Sequence, residues 1–218
     1  MSLDVTLVPA ARLNPTDPAD PATASWEPMP GTGKAQVCSL CRPRTCCLSF
    51  GVPLGPNDLR RIAGLLALPP LAFCQAVPVD TDEGFLLDPR QPELRYRLEL
   101  RRAGGEEEEL APQLPCLFLL ELPGGFRRCS LGAAMPALCR SFPLTRDPFG
   151  GLSIYEGAGC CRLWSPADVR LPDDLALTVG AAEEMALLGA RTAEWNARLL
   201  GQRQPASFGE FLDFLAGG

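Results

Sequence analysis

The amino-acid sequence predicts an α+β fold: a single loop-rich domain with a short irregular sheet, a cysteine-ligated metal centre and a long C-terminal helix. Apolar residues make up 46% of the 218 residues, which is enough to bury one core. Short apolar and alternating stretches fill the middle of the chain, and a helical repeat fills its end. The 23 prolines and 21 glycines predict many turns and loops between these elements.

Three segments divide the chain. Residues 1–37 are rich in proline and alanine, which predicts an extended N-terminal arm. Residues 38–171 contain all the cysteines and are predicted to form the metal-binding domain, and residues 172–218 are predicted to form helices that pack on the same domain. The arm lacks the basic segment and apolar run of an export signal, and no stretch reaches the roughly 18 apolar residues of a membrane span. We therefore expect a cytoplasmic protein with no membrane partner.

The first predicted helix covers residues 57–68. An Asn-Asp pair begins it, Leu59 and Ile62 contribute to its apolar face, and two prolines end it. A second short helix is predicted over residues 71–77, an apolar run that contains Cys74.

The middle of the chain predicts strands because apolar and polar residues alternate there, most regularly over residues 94–100. A short helix or turn is predicted over residues 133–142, and it carries Cys139. The predicted strands cover residues 85–87, 94–100, 117–122, 126–131 and 152–155.

The C-terminal part predicts two helices. Over residues 172–201, apolar residues from Leu175 to Leu199 recur at spacings of three and four. A last short helix is predicted over residues 207–216. We expect these apolar stripes to form core or a surface that docks a protein partner.

Charge and composition exclude several functions. The net charge of −6 argues against a nucleic-acid partner, because phosphate contacts need a basic face. The chain has no histidine, which excludes Ser-His-Asp and Cys-His catalysis and any zinc site of mixed Cys and His ligands. The sequence shows no obvious general base or substrate pocket, so it leaves open whether the protein is an enzyme.

The ten cysteines are grouped along the chain. Two residues separate Cys38 from Cys41, and four residues separate Cys41 from the adjacent pair Cys46-Cys47. A two-residue spacing lets a tight turn direct both sulfurs at one metal, as in zinc and iron–sulfur sites. Disulfides are the alternative, and they suit a chain of this length without an export signal less well. The candidate metal ligands are Cys38, Cys41, Cys46, Cys47, Cys116, Cys129, Cys139, Cys160 and Cys161.

The cysteines differ in their expected roles. Successive side chains diverge, so in the pair Cys46-Cys47 we expect one sulfur to pack while the other ligates, or each to bind a different metal. Cys74 has no neighbouring thiol in the sequence, and we expect it to pack as a small hydrophobic residue. Cations beside a cysteine favour the thiolate form that binds metal. The arginines nearest the cysteines are Arg42, Arg44, Arg127, Arg128, Arg140 and Arg162.

The order of these elements resembles the YkgJ-type cysteine-cluster proteins, a family of zinc- or iron-chelating domains, over roughly residues 38–161. The matching elements are the first four cysteines, an Asp followed by a basic and apolar run at 58–63, a Pro-Cys-x-Phe-Leu element at 115–119, and a Cys-Ser, Cys-Arg and Phe-Pro series at 129–143. The family's Ile-Tyr-Glu-x-Arg is replaced here by Leu-Gly-Ala-Ala-Met at residues 131–135. Any polar network that those residues provide is therefore absent here or rebuilt.

The resemblance implies metal binding through the cysteine set, with Cys160 or Cys161 as the last ligand. Flagellin lysine N-methylases look similar in their cysteine cluster and are associated with an iron–sulfur centre, which favours iron here by analogy. The expected function is to hold an iron–sulfur cluster or iron, in support of the modification of another protein as partner or substrate. A structural zinc-binding interaction module and a thiol redox switch are the alternatives.

Overall fold

The computed structural model describes residues 46–104, 114–123, 126–146, 151–154 and 173–217. The predicted arm at residues 1–37 lies outside them. The described residues form the α+β arrangement that the sequence predicts, with short helices and strand pairs followed by a long helix. The helices are α1 (Cys46–Ser49), α2 (Pro56–Leu66), α3 (Ala137–Ser141), α4 (Asp173–Gln202) and α5 (Phe208–Ala216). The strands are β1 (Cys74–Val79), β2 (Arg95–Leu100), β3 (Leu119–Leu122), β4 (Phe126–Cys129), β5 (Leu144–Arg146) and β6 (Leu152–Ile154).

The described strands form three separate antiparallel pairs, β1 with β2, β3 with β4 and β5 with β6. Cys74 opposes Leu100 in the first pair, and Leu119 opposes Cys129 in the second. The short irregular sheet of the prediction is thus three small sheets, because each of these strands pairs with its neighbour along the chain.

The strand predictions are confirmed with shorter bounds for β2, β3, β4 and β6, which all lie within the predicted stretches. Residues 85–87 contribute a single bridge between Phe85 and Tyr96 instead of a strand. Helix α1 and strand β5 are not predicted, since elements this short show no periodic pattern.

Helix α2 forms where the sequence predicts a helix over residues 57–68. It begins at Pro56, because proline in the first turn has a suitable backbone angle and lacks an N–H that would have no helical acceptor. Leu59 and Ile62 are fully buried on its inner face. The helix ends at Leu66, before the predicted limit, and the next residue has a left-handed backbone with a φ of 52°.

The predicted helix over residues 71–77 is wrong. A 3₁₀ turn at Pro70–Ala72 leads directly into strand β1, which begins with Cys74. A short apolar run has no periodicity that separates a buried helix from a buried strand. Pairing with the alternating residues of β2 decides the outcome. Cys74 packs in the hydrophobic core, where only 2% of its surface is exposed.

The two predicted C-terminal helices are confirmed as α4 and α5. Ser207 and Glu210 form a capping box at the start of α5, in which the Glu210 carboxylate accepts the Ser207 N–H at 2.7 Å. Phe211 of α5 stacks on Phe85 with 3.8 Å between ring centroids, and Trp195 of α4 meets Phe211 edge-on. These rings join both helices to the hydrophobic core. In the described part of the chain, no helix has both the length and the apolar composition to cross a membrane.

Glu184 links the long helix α4 to the start of α2. Its carboxylate accepts hydrogen bonds from the Asn57 N–H at 2.6 Å, the Asn57 side-chain amide at 2.7 Å and the Asp58 N–H at 3.2 Å. A carboxylate in this position also faces the positive end of the helix dipole. The contact fixes the first turn of α2, which carries Asp58.

Candidate metal centre

Five of the nine candidate ligands lie in the described residues. Helix α1 carries Cys46 and Cys47, the segment leading into the β3–β4 hairpin carries Cys116, the end of β4 carries Cys129, and α3 carries Cys139. The other four candidates, Cys38, Cys41, Cys160 and Cys161, lie outside the described residues and stay predictions.

The sulfur atoms of Cys46 and Cys47 lie 4.0 Å apart. Two sulfurs that bind one tetrahedral ion at about 2.3 Å lie about 3.8 Å from each other, so this separation suits shared coordination. Adjacent positions predict diverging side chains, whereas α1 keeps these two sulfurs close together.

Cys116 is bound by its backbone to α1 on one side and to the β3–β4 hairpin on the other. Its N–H donates a hydrogen bond to the carbonyl oxygen of Cys47 at 2.8 Å. Its own carbonyl accepts the N–H of Leu119 at 2.9 Å, and Leu119 pairs with Cys129 across the hairpin. The hairpin therefore brings Cys116 and Cys129 next to the thiols of α1.

Cys139 is positioned by an ion pair on α2 between the buried Asp58 and the partly exposed Arg61. Asp58 has no exposed surface, and its carboxylate accepts the N–H of Ala137 in the first turn of α3 at 3.0 Å. Arg61 bonds to that carboxylate and donates to the carbonyl of Met135 at 2.8 Å. These contacts fix the start of α3, which carries Cys139. The sequence alone indicates no such role for either charged residue, because their partners lie far along the chain.

The five thiols lie close enough to change one another's ionisation. The pKa of Cys47 is raised by a hydrogen bond with Cys46, by burial, and by the charges of Cys46, Cys139 and Cys116. The pKa of Cys139 is raised well above its ordinary value by burial, and then by Cys116, Cys129 and Cys46. We call these five residues the thiol cluster. A bound cation would reverse these effects, because it stabilises thiolates that otherwise repel each other.

Arg102 lies beside the thiol cluster. Its guanidinium donates to the carbonyl of Leu48 in α1 at 2.8 Å and also to the carbonyl of Leu114. Burial raises the pKa of Cys116, and the nearby charge of Arg102 opposes that rise. The sequence prediction selects arginines that lie near a cysteine along the chain. Arg102 is not adjacent to any cysteine in the sequence, so that prediction omits it.

The predicted arginines have mixed outcomes. Arg127 pairs with Glu121 across the β3–β4 hairpin, with 3.6 Å between nitrogen and oxygen. The Nε of Arg140 is buried and has no hydrogen-bond partner in the described structure. Arg42, Arg44 and Arg162 lie outside the described residues.

Cys74 belongs to the hydrophobic core and not to the thiol cluster. Burial raises the pKa of Cys74 to about 12, and no neighbouring thiol contributes to that rise. Its surroundings are those of a cysteine that packs as a small hydrophobic residue.

The chemistry of the thiol cluster fits a thiophilic metal, because it offers five sulfurs in a chain without histidine. Within the described ranges, no three Cys, Asp or Glu side chains stand in an arrangement that could hold a metal ion. The described part of the thiol cluster therefore suits a metal in the type of its ligands and in their proximity, and not in their coordination geometry.

Comparisons with known proteins add no relative: no family model, no curated protein and no solved structure matches the chain. The resemblance to the YkgJ-type proteins thus stays a prediction. The thiol cluster itself is the feature of this chain that indicates a function.

Proposed function

We propose that this chain is a metal-binding protein that holds iron, as an iron–sulfur cluster or as iron ions, through cysteine thiolates. The observation that supports the proposal is the proximity of five cysteines from four segments of the chain, close enough to shift one another's pKa. The N–H of Cys116 bonds to the carbonyl of Cys47, and Asp58 fixes the helix of Cys139. Specific polar contacts thus bring the thiols together.

Ionisation supports metal binding over simple packing. A cysteine that only packs in the core needs no other thiol beside it, and Cys74 is an example. In the thiol cluster, burial and the charges of neighbouring sulfurs raise the pKa of Cys47, Cys116 and Cys139, an unfavourable arrangement for thiolates on their own. A metal ion offsets this repulsion, displaces the thiol protons and links distant segments, so its binding energy also stabilises the fold.

Iron is favoured over zinc by ligand type and by resemblance. Iron–sulfur clusters are held mainly by cysteine thiolates, and the chain has no histidine for the mixed sites that zinc often occupies. The similarity of the cysteine pattern to the flagellin lysine N-methylases points the same way. The proposed ligands are the thiol cluster together with Cys38, Cys41 and one or both of Cys160 and Cys161.

Metal and sulfide analysis of anaerobically purified protein tests the proposal. The wild type and Cys74→Ala should contain iron with acid-labile sulfide, or iron alone, in equal amounts. Cys116→Ser and Cys139→Ser should lose most of the metal. Colourless protein with bound zinc would support the structural zinc module, and metal-free protein with an oxidised Cys46-Cys47 pair would support the redox switch; either result contradicts iron binding.

A further inference from the structure

One edge of strand β1 carries backbone groups that its partner strand does not use. In β2, the N–H of Leu100 donates to Val52 at 2.9 Å, and Tyr96 exchanges hydrogen bonds with Phe85. The N–H and C=O of a residue in an antiparallel strand point to the same side. Leu100 and Tyr96 therefore point away from β1, and the residues that oppose them in β1 point away from β2.

The register places Cys74, Ala76 and Pro78 in this outward row. Pro78 has no N–H, and proline is tolerated in a strand where the missing N–H faces away from the ladder. The N–H and C=O groups of Ala76 and the C=O group of Pro78 have no hydrogen-bond partner in the part of the chain that the structure describes. Ala76 is half-buried and Pro78 is exposed, whereas Cys74 is buried, so the accessible part of the row begins at Ala76. Such a row is a template for another extended chain.

An apolar groove of about 640 Å³ runs along this edge. Leu71 and Phe208 provide its largest apolar side chains, and 53% of the Leu71 surface is exposed. Exposed apolar surface beside a free strand edge is typical of sites that bind an added strand. The groove is lined by Pro69, Leu71, Ala72, Cys74, Gln75, Ala76, Arg101 and Phe208.

Arg101 gives the groove a positive charge. Its side chain is exposed and lines the groove, and its guanidinium has neither an ion pair nor a hydrogen bond within the described residues. The neighbouring arginines of β2 differ in this respect, since Arg97 pairs with Glu99. A ligand that complements the groove therefore carries a negative charge, which an acidic side chain supplies in a peptide.

We propose that this groove binds an extended peptide segment of a partner protein, which adds as a strand to the free edge of β1. An apolar side chain of the segment packs against Leu71 and Phe208, and a carboxylate pairs with Arg101. The backbone row selects an extended chain, the groove selects an apolar side chain, and Arg101 selects the charge. This proposal is independent of metal binding.

A library of random nonapeptides displayed on phage tests the proposal with the intact protein as bait. Selection should enrich sequences in which apolar residues alternate with other residues and an acidic residue is present. Synthetic copies of the selected peptides should bind the wild type and slow hydrogen exchange at the Ala76 amide. No enrichment over bait-free selection would overturn the proposal.

Two substitutions locate the binding. Ala76→Pro removes only an outward N–H, so it should leave the β1–β2 ladder intact and weaken the selected peptides about tenfold. Arg101→Glu should weaken them at least as much, whereas Arg203→Glu, an exposed arginine outside the groove, should not. Equal binding to wild type and Arg101→Glu would overturn the proposal even if Ala76→Pro fails to fold. A dimer of the wild type that Ala76→Pro dissociates would replace the partner peptide with a second copy of the chain and also overturn it.

Discussion

The N–H of Cys116 donates a hydrogen bond to the carbonyl oxygen of Cys47, with 2.8 Å between nitrogen and oxygen. The whole β1–β2 pair lies between these two cysteines in the sequence. One backbone contact thus joins the helix of the adjacent cysteine pair to the hairpin that carries Cys129. The guanidinium of Arg102 reinforces this junction, because it bonds to a carbonyl of each segment.

Arg102→Met should weaken metal binding about tenfold, since it removes both carbonyl contacts and the positive charge near Cys116. Arg102→Lys should have an intermediate effect, because lysine keeps the charge but has an ammonium group in place of the planar guanidinium whose Nη1 donates to both carbonyls. Metal retained per chain against a competing chelator measures the effect. Arg101→Met is the matched control, with an exposed side chain at the next position, and it should retain metal like the wild type. Equal retention in Arg102→Met and the control would remove Arg102 from the account.

Asp58→Asn should lower the free energy of unfolding by about 1–3 kcal/mol, because it removes the charge that pairs with the partly exposed Arg61 and weakens the acceptor of the Ala137 N–H. Urea denaturation measures the change. Asp88→Asn is the comparison, since Asp88 pairs with Arg90 at the surface and should leave the unfolding midpoint unchanged. A midpoint for Asp58→Asn equal to that of Asp88→Asn would contradict the role assigned to the buried Asp58 carboxylate.

Two glycines near α2 should respond in opposite directions to alanine. A methyl group at Gly55 would overlap the carboxylate of Glu184 and displace it from the start of α2, so Gly55→Ala should cost about 1–3 kcal/mol of stability. Gly64 lies within α2 and faces open space, so Gly64→Ala should add about 0.5–1 kcal/mol. Thermal unfolding of the two variants checks the pair. A stabilising Gly55→Ala would show that Glu184 can move away without loss.

Cys74→Ala should keep the full metal content and cost about 1–2 kcal/mol of stability at pH 8, because a small buried group is lost from the core. Burial raises the pKa of Cys74 from 9.0 to about 12, so the stability it contributes is complete below pH 9 and is lost as the pH rises towards 12. Between these limits the wild type should lose about 1.4 kcal/mol per pH unit relative to the variant. Urea denaturation at pH 8, 9.5 and 10.5 should therefore show the gap closing. A constant gap would mean that Cys74 ionises as freely in the folded protein as in the unfolded chain.

The sequence predicts the helices that show a periodic apolar pattern or a capping residue. The long helix α4 follows from apolar spacing up to Leu199, and α5 follows from the run of apolar residues after Ser207. It does not predict β1, because the apolar run that contains Cys74 suits either a helix or a strand until β2 supplies a partner.

The candidate site, too, can be predicted from the sequence only in part. Cysteine spacing selects the residues of the thiol cluster, whereas the contacts that bring them together join distant positions. Asp58 reaches Ala137, and Arg102 reaches Leu48. Such tertiary contacts leave no local pattern in the sequence, and the charged residues that support the cluster are therefore found only in the structure.

X-ray absorption spectroscopy of the anaerobically purified wild-type protein tests the central claim most directly, because it identifies the bound metal and the atoms of its first shell. The account predicts iron surrounded by sulfur. Zinc surrounded by sulfur would contradict the choice of iron, and protein that contains no metal, or a metal whose first shell consists of oxygen alone, would contradict the claim that the thiol cluster is a metal centre.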